Sequence, residues 1–392
     1  MNEERKYRMT AKTQYGLEEV LAEELKSIGA DEIEKLNRAV SFRGSKETMY
    51  RACLELRTAL RIYKPIQEFK VRNEETLYKG AYRIDWSRYL NPTMTFAVDS
   101  TVNSQNFNHA NFVALKVKDA VADHLRKKFG ARPDVDTNDP DVRLHVHIRE
   151  NDCTISLDAS GNSLHKRGYR VSQTMAPLNE VLAAGMLLLS EWNAEGNFVD
   201  PMCGSGTLLM EAATIAHNIP PGINIKKFGF MGWNDFDEEL WAKVRKSAID
   251  GQKEFKHQII GFDESRKAIV IAKSNIKNAE LGWKILLKPK KLEKLETEDI
   301  PEGGTVIINP PYGERMDDKE VDELYKTIGD TLKQKFQGYT AWIISSNKEA
   351  LKNIGLRTSR KLTLFNGALE CKYQKYELYS GTRKKKWAEQ KD

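Results

Sequence analysis

From Arg167 to the C-terminus, apolar runs with strand character alternate with helical patterns, and no other feature restricts the fold so strongly. Strands are expected at Asn197 to Asp200, Gln258 to Asp263, Lys284 to Leu287, Thr305 to Asn309 and Thr340 to Ser345. Strands separated by helices pair in parallel, which predicts a doubly wound, Rossmann-like sheet. Near the end, Lys361 to Phe365 and Glu370 to Tyr379 flank Asn366-Gly367, two residues that tolerate positive φ. That dipeptide predicts a terminal antiparallel hairpin closing the sheet.

The front of the chain reads differently. Residues from about Tyr7 to Ile66 follow the order strand, helix, strand, strand, helix, strand, with Leu17, Val20, Leu21, Leu25 and Ile28 on one face of the first helix. This is the order of a ferredoxin-like unit. From about Gln67 to His165 come a helix, a strand at Thr95 to Val98, a long helix from Phe112 to Phe129, and strands at Leu144 to Ile148 and Thr154 to Leu157. The expected division is therefore 1–66, 67–165 and 166–392.

Composition excludes several classes. A chain of 392 residues with 40% hydrophobic and 30% charged residues is an ordinary globular sequence. No run approaches the roughly 20 apolar residues of a membrane span, and the N-terminus lacks a signal-peptide apolar region, so a cytoplasmic protein is expected. Cys53, Cys153, Cys203 and Cys371 are solitary, which fits reduced thiols and no metal. His145 and His147 share a strand face, without a third ligand nearby in sequence to make a metal site. The net charge of +6 does not identify a nucleic-acid binder, although local basic clusters such as Lys288, Lys290 and Lys291 can meet phosphates.

Two motifs carry chemistry. After the buried strand residues Phe198 and Val199 comes Asp200-Pro201-Met202-Cys203-Gly204-Ser205-Gly206-Thr207. Its glycines allow a tight turn and close approach of a ligand, and the helix after Thr207 presents free amides. A phosphate-binding loop would require a lysine here, and none follows. A nucleoside with a methionine arm, S-adenosylmethionine, is the better ligand. Asp263 ends the next strand, where a carboxylate can accept from both ribose hydroxyls. It stands roughly sixty positions after Asp200, against roughly 20 in the compact dinucleotide pattern, and the excess is the insertion Ile219 to Glu254. That insertion reads either as a lid or substrate wall, or as a helical surface embellishment.

The second motif is Asn309-Pro310-Pro311-Tyr312, a string expected by chance on the order of once in a thousand chains this size. It lies at a strand end, where sites in open α/β sheets lie. The Asn309 side-chain oxygen and the Pro310 carbonyl can accept hydrogen bonds from an exocyclic amino group while Tyr312 stacks on the base. Such a base must be flipped out or unpaired.

The order Arg167-Gly168-Tyr169-Arg170, Ala176-Pro177-Leu178-Asn179-Glu180, Asp200 to Thr207, then Asn309 to Arg315 resembles the THUMP-containing guanine-N2 RNA methyltransferases of the RlmL type over nearly the full length. The resemblance implies a ferredoxin-like unit and a THUMP domain that bind RNA, followed by a class I methyltransferase domain. It implies methyl transfer from S-adenosylmethionine to a guanosine N2 of large-subunit ribosomal RNA. The segment Ala176 to Glu180, with Pro177 and Glu180 foremost, would then border the cofactor together with Asp200, Pro201, Cys203, Gly204, Ser205, Gly206, Thr207 and Asp263, while Asn309 to Tyr312 hold the amino group. Where the family often has an acid near the adenine, this chain has Lys288-Pro289-Lys290-Lys291, so the adenine contact stays unassigned. Rival readings are a transfer-RNA guanine-N2 enzyme, an adenine-N6 DNA methyltransferase, and a non-catalytic RNA-binding assembly factor.

Overall fold

The computed structural model describes residues 5–172, 177–311 and 317–379. The N-terminal elements are β1 (Tyr7–Lys12), α1 (Glu18–Ser27), β2 (Asp31–Leu36), β3 (Ala39–Gly44), α2 (Lys46–Glu55) and β4 (Arg61–Lys70). They are followed by α3 (Glu74–Tyr82), β5 (Thr95–Asn103), α4 (Ala110–Phe129), β6 (Asp134–Val135), β7 (Val142–Arg149) and β8 (Asp152–Asp158). Helix starts are set locally. Ser45 and Thr48 form a reciprocal capping box at α2, Asn73 and Thr76 form another at α3, and Gly130 in the left-handed region stops α4.

These strands make one eight-stranded sheet in the order β2-β3-β1-β4-β8-β7-β5-β6. The last strand of the ferredoxin-like unit is ten residues long, and it pairs antiparallel with β8 from Tyr63↔Asp158 to Lys70↔Asp152. One strand therefore carries the ferredoxin-like pairing with β1 at one end and the pairing with β8 at the other.

The C-terminal elements are α5 (Glu180–Leu189), β9 (Asn197–Asp200), α6 (Thr207–Ala216), α7 (Glu238–Asp250), β10 (Ile259–Asp263), α8 (Arg266–Asn278) and β11 (Leu286–Pro289). Then come β12 (Gly304–Ile308), α9 (Asp318–Lys335), β13 (Tyr339–Ser345), β14 (Arg360–Asn366) and β15 (Leu369–Glu377). The sheet order is β11-β10-β9-β12-β13-β15-β14, parallel except for β15, which runs antiparallel to both neighbours. This is the doubly wound sheet with a terminal hairpin. Its core joins Val199, Phe262, Val306, Ile308, Tyr325 and Ile343, all at or near zero exposure. The strand order reverses at β9 and β12, and the crevice beyond their C-terminal ends is where such sheets place a ligand.

The chain does not divide cleanly at residue 165. One compact unit comprises 1–13, 21–164 and 225–247; the other comprises 14–20, 165–224 and 248–392. Most of the insertion between β9 and β10 thus belongs to the N-terminal unit. Phe230 stacks on Tyr50 with ring centroids 4.3 Å apart, Trp241 meets both edge-on, and the Asp237 N–H donates to the Tyr50 hydroxyl oxygen at 3.0 Å. Backbone touches backbone at Gly229, where an added Cβ would stand 2.2 Å from the Asp158 carbonyl oxygen. Among the described residues no helix is long and apolar enough to cross a membrane.

Candidate active site

The loop after β9 is built from backbone conformations that favour glycine. Gly204 has φ +53° and Gly206 has φ +82°, and open space lies where a Cβ on Gly204 would sit. Two hydrogen bonds lash this loop to β10. The Cys203 N–H donates to the Phe262 carbonyl at 2.8 Å, and the Gly204 N–H donates to Asp263 Oδ2 at 2.9 Å. The other carboxylate oxygen of Asp263 accepts from the Ser265 N–H at 2.9 Å, which shapes the entrance to α8. Asp263 is thus held by backbone donors on both oxygens. A carboxyl oxygen has more than one acceptor direction, so Asp263 still has capacity for a hydroxyl donor.

Asp200 is buried beneath the loop and accepts from the Met202 N–H at 3.1 Å. Burial, reinforced by the charge of Asp263 and opposed by the Met202 bond, pushes its carboxyl up to about 8. The Cys203 thiol is pushed well up by burial and by the same two carboxyl groups, so it is a neutral packing group, as its solitary position implies.

The segment before α5 supplies another wall. Asn179 caps α5 by accepting from the Val181 and Leu182 N–H groups. Glu180 is buried, and its Oε1 takes the Arg170 Nε–H at 2.7 Å. The same guanidinium reaches Ser205 Oγ at 3.3 Å, Thr207 Oγ1 at 2.9 Å and the Leu178 carbonyl at 3.1 Å. Arg170 therefore fixes the α5 entrance to the glycine loop. The wholly buried Asn275 does similar work, accepting from the Val171 and Ser172 N–H groups and donating to the Ser172 and Ser205 carbonyls.

These parts enclose a cavity of about 450 Å³. Of the residues expected at the site, Pro177, Asp200, Pro201, Cys203, Gly204, Ser205, Thr207 and Asp263 line it, as do Asn309, Pro310 and Pro311 from the end of β12. Glu180 and Gly206 do not. Glu180 is turned into its pairing with Arg170, and Gly206 acts through backbone geometry as the residue before α6. Tyr312 and Ala176 lie outside the described residues.

Sequence reasoning missed several lining residues. Met202, Leu208 and Leu292 supply apolar surface, while Glu264, Glu293 and Asn366 supply polar groups; Leu178, also in the wall, belongs to the segment expected to border the cofactor. The basic run after β11 does not face the cavity unopposed: Lys288 and Lys290 pair with Asp299, and Lys291 pairs with Glu264 and Glu293. An acid does lie beside the cavity after β11, as Glu293. It sits beyond the lysines, so inspection of the strand end alone overlooks it. Asn366 is the last residue of β14, far away in sequence, and its hairpin signal says nothing of the cavity.

The cavity combines an apolar body with carboxyl groups at its β9–β10 end and carbonyl and amide groups at its β12 end. Such a space suits an amphiphilic ligand carrying hydroxyls and a positive charge, with a second, planar group at the Asn309 end.

Three families match successive parts of the chain: the RlmL ferredoxin-like domain over residues 8–63, the THUMP domain over 71–158, and the RMKL-like methyltransferase domain over 167–375. The chain is 40% identical over 377 residues to the ribosomal RNA large subunit methyltransferase K/L of Syntrophotalea carbinolica, covering 93% of this chain and 52% of the relative. It spans about half the length of the K/L relatives it matches. The protein slr0064 of Synechocystis sp., designated provisionally as an RNA methyltransferase, is 40% identical over 366 residues, covering 93% of this chain and 95% of its own. Among solved structures, SMU.472, provisionally named a methyltransferase and complexed with SAH, aligns with a TM-score of 0.86 at 32% identity, over 97% of this chain and all of that one.

Proposed function

The chain belongs to the RMKL-like methyltransferase family, and on that footing we propose that it transfers a methyl group from S-adenosylmethionine to the exocyclic N2 of a guanosine in RNA, in large-subunit ribosomal RNA. The observation that carries this reading is one cavity walled by the glycine loop, Asp263 and Asn309-Pro310-Pro311 together. The residues fit the cofactor. Gly204 leaves its cavity side open, Asp263 can accept from ribose hydroxyls, and Asp200 can compensate a cation. The 32%-identical neighbour complexed with SAH, the demethylated form, supports the same ligand.

When bound, the cofactor supplies an electrophilic methyl group on a sulfonium. The protein's own task is to align and to exclude water. Asn309 accepts through its side-chain amide oxygen from the substrate amino group, and the Pro310 carbonyl is a second acceptor; both favour the geometry in which the nitrogen lone pair is available. Glu293 is the candidate for the adenine end. Arg170 and Asn275 position the loop without touching the substrate.

We assign RNA recruitment to the N-terminal modules, 1–66 and 67–165, methyl transfer to 166–392, and a cytoplasmic site of action. Titration calorimetry with S-adenosylmethionine, followed by mass-spectrometric mapping of ribosomal and transfer RNA from a deletion strain, tests the proposal. Loss of a methylguanosine in large-subunit RNA is the expected result. Loss in transfer RNA would move the substrate, and the absence of cofactor binding would leave an RNA-binding assembly factor.

A further inference from the structure

A second cavity, about 390 Å³, lies wholly within the N-terminal unit, and nothing above gives it a role. Its walls come from three places: Arg5 and Tyr7 at β1 with Lys64 on β4; Arg88 and Tyr89 in the turn after α3; and Trp233, Asn234 and Asp235 in the insertion. Three aromatic rings and three cations thus face one space.

The cations are unequally placed. Arg88 and Arg5 are exposed, the latter with its guanidinium 5.3 Å from the Tyr7 ring centre. The Lys64 side chain is only 13% exposed, with its ammonium 4.1 Å from the Tyr7 ring centre and 5.3 Å from that of Trp233. Its carboxylate partner is Asp235 at 3.7 Å, which is shared with Lys46 at 3.9 Å. Burial holds the Lys64 ammonium below its ordinary value, and Asp235 recovers part of that loss. A cation stripped of water and given half a counterion favours an incoming anion. Arg88 also meets Asp85, at 3.4 Å on the surface, a contact that solvent weakens.

Trp233 adds an independent observation. The residue is 6% exposed, and its indole Nε1 is buried without a hydrogen-bond partner among the described residues. Buried donors are ordinarily satisfied, so an unpartnered one in a cavity wall points to an acceptor that arrives with a ligand.

We propose that this cavity holds one unstacked nucleotide of an RNA chain, its ring against Tyr7, Tyr89 and Trp233 and its phosphate on Arg5, Lys64 and Arg88. An acidic peptide would satisfy the cations and leave the rings bare. A base with its phosphate uses both, since stacking on aromatic faces beside a basic groove is how unpaired nucleic acid is held. The inference rests on the reading of the substrate as RNA and adds a recognition point inside the N-terminal unit. The insertion would close this pocket, which explains why a segment interrupting the methyltransferase sequence is packed on the other unit.

The test uses the full chain and a fluorescein-labelled single-stranded octaribonucleotide, with free AMP and UMP as competitors. Arg5→Gln/Arg88→Gln alters two exposed side chains and should leave the fold intact. It should raise the octamer Kd at least tenfold and reduce the slope of log Kd against log salt by up to about 0.7, the share of one phosphate contact on a single strand. Trp233→Phe should weaken the octamer and abolish quenching of tryptophan emission. Wild-type Kd and salt slope in the double variant would overturn the proposal. So would AMP or UMP competing as well as the octamer, which would make the ligand a free nucleotide. Calorimetry with S-adenosylmethionine runs in parallel: its failure to bind wild-type protein would sink the methyl-transfer reading while leaving the octamer result standing.

Discussion

The Gly204 N–H and the Asp263 carboxylate, 2.9 Å apart, join the loop of one strand to the acid at the end of its neighbour. The acid that is free to meet a ribose is therefore also the strut that shapes the loop around the rest of the ligand.

Asp263→Ala should weaken S-adenosylmethionine binding by roughly 1.5 to 3 kcal/mol, because it removes a charged acceptor and releases the Gly204 amide. Asp263→Asn, which keeps one carbonyl oxygen, should lose less. Calorimetry on folded variants decides the matter, and a wild-type Kd for Asp263→Ala would displace the ribose from this position.

Asn309→Ala should act on chemistry and spare binding. Cofactor affinity should stay within about twofold, while the single-turnover rate on saturating RNA should fall by roughly 10²-fold or more, the scale of losing a group aimed at the reacting centre. Transfer at the wild-type rate would remove Asn309 from the site.

Asp200 makes the site sensitive to pH. Its folded carboxyl is raised to about 8, far above the ordinary 3.8. Folding therefore takes up a proton between those values, and this group's contribution to stability declines as pH rises from about 4 to about 8. A cationic ligand favours the ionised form, so S-adenosylmethionine should bind more tightly at pH 8 than at pH 6 and release a proton on binding. Calorimetry in two buffers of different ionisation enthalpy counts that proton. Asp200→Asn should bind with no such release, and a count of zero in the wild type would refute the coupling.

Gly229→Ala should destabilise the N-terminal unit by about 1 to 3 kcal/mol or more, since the new Cβ would stand 2.2 Å from the Asp158 carbonyl oxygen and 2.7 Å from the Gly161 nitrogen. Differential scanning calorimetry should show a midpoint several degrees lower. An unchanged midpoint would mean that the insertion is not seated on β8 as described.

A fragment of residues 166–392 should behave poorly alone, because it strips Phe230, Phe236 and Trp241 of the Tyr50 ring they pack on. Size-exclusion chromatography should find it aggregated and binding hydrophobic dye, and co-expression with residues 1–165 should relieve both. A monomeric, dye-silent fragment would contradict this.

Local patterns made much of the molecule legible. The long helix expected from Phe112 is α4, a hairpin turn joins β14 to β15 at Gly367-Ala368, one residue later than expected, and the small-residue loop falls between β9 and α6. Each is decided by neighbours in sequence: apolar periodicity, turn residues, glycine. What stayed hidden depends on distant partners. Arg170 reads as one more basic residue until α5 and α6 bring Glu180 and Thr207 to it, and Asn275 reads as a helix-surface amide although it is wholly buried. The insertion offered a lid and an embellishment as alternatives because nothing within it names Tyr50 or Asp158 as its seat.

That insertion also sets a clock on biosynthesis. The N-terminal unit has all its strands once Asp158 has emerged, yet it cannot cover Tyr50 until Ser247 follows. At roughly 5 to 20 residues per second the nascent chain spends several seconds with that aromatic surface bare, and β9 with its glycine loop is made in the interval. Completion of the first unit is thereby delayed until the second has begun, so premature release of the chain anywhere before residue 247 leaves a product with an unfilled seat, which chaperones and proteases can recognise.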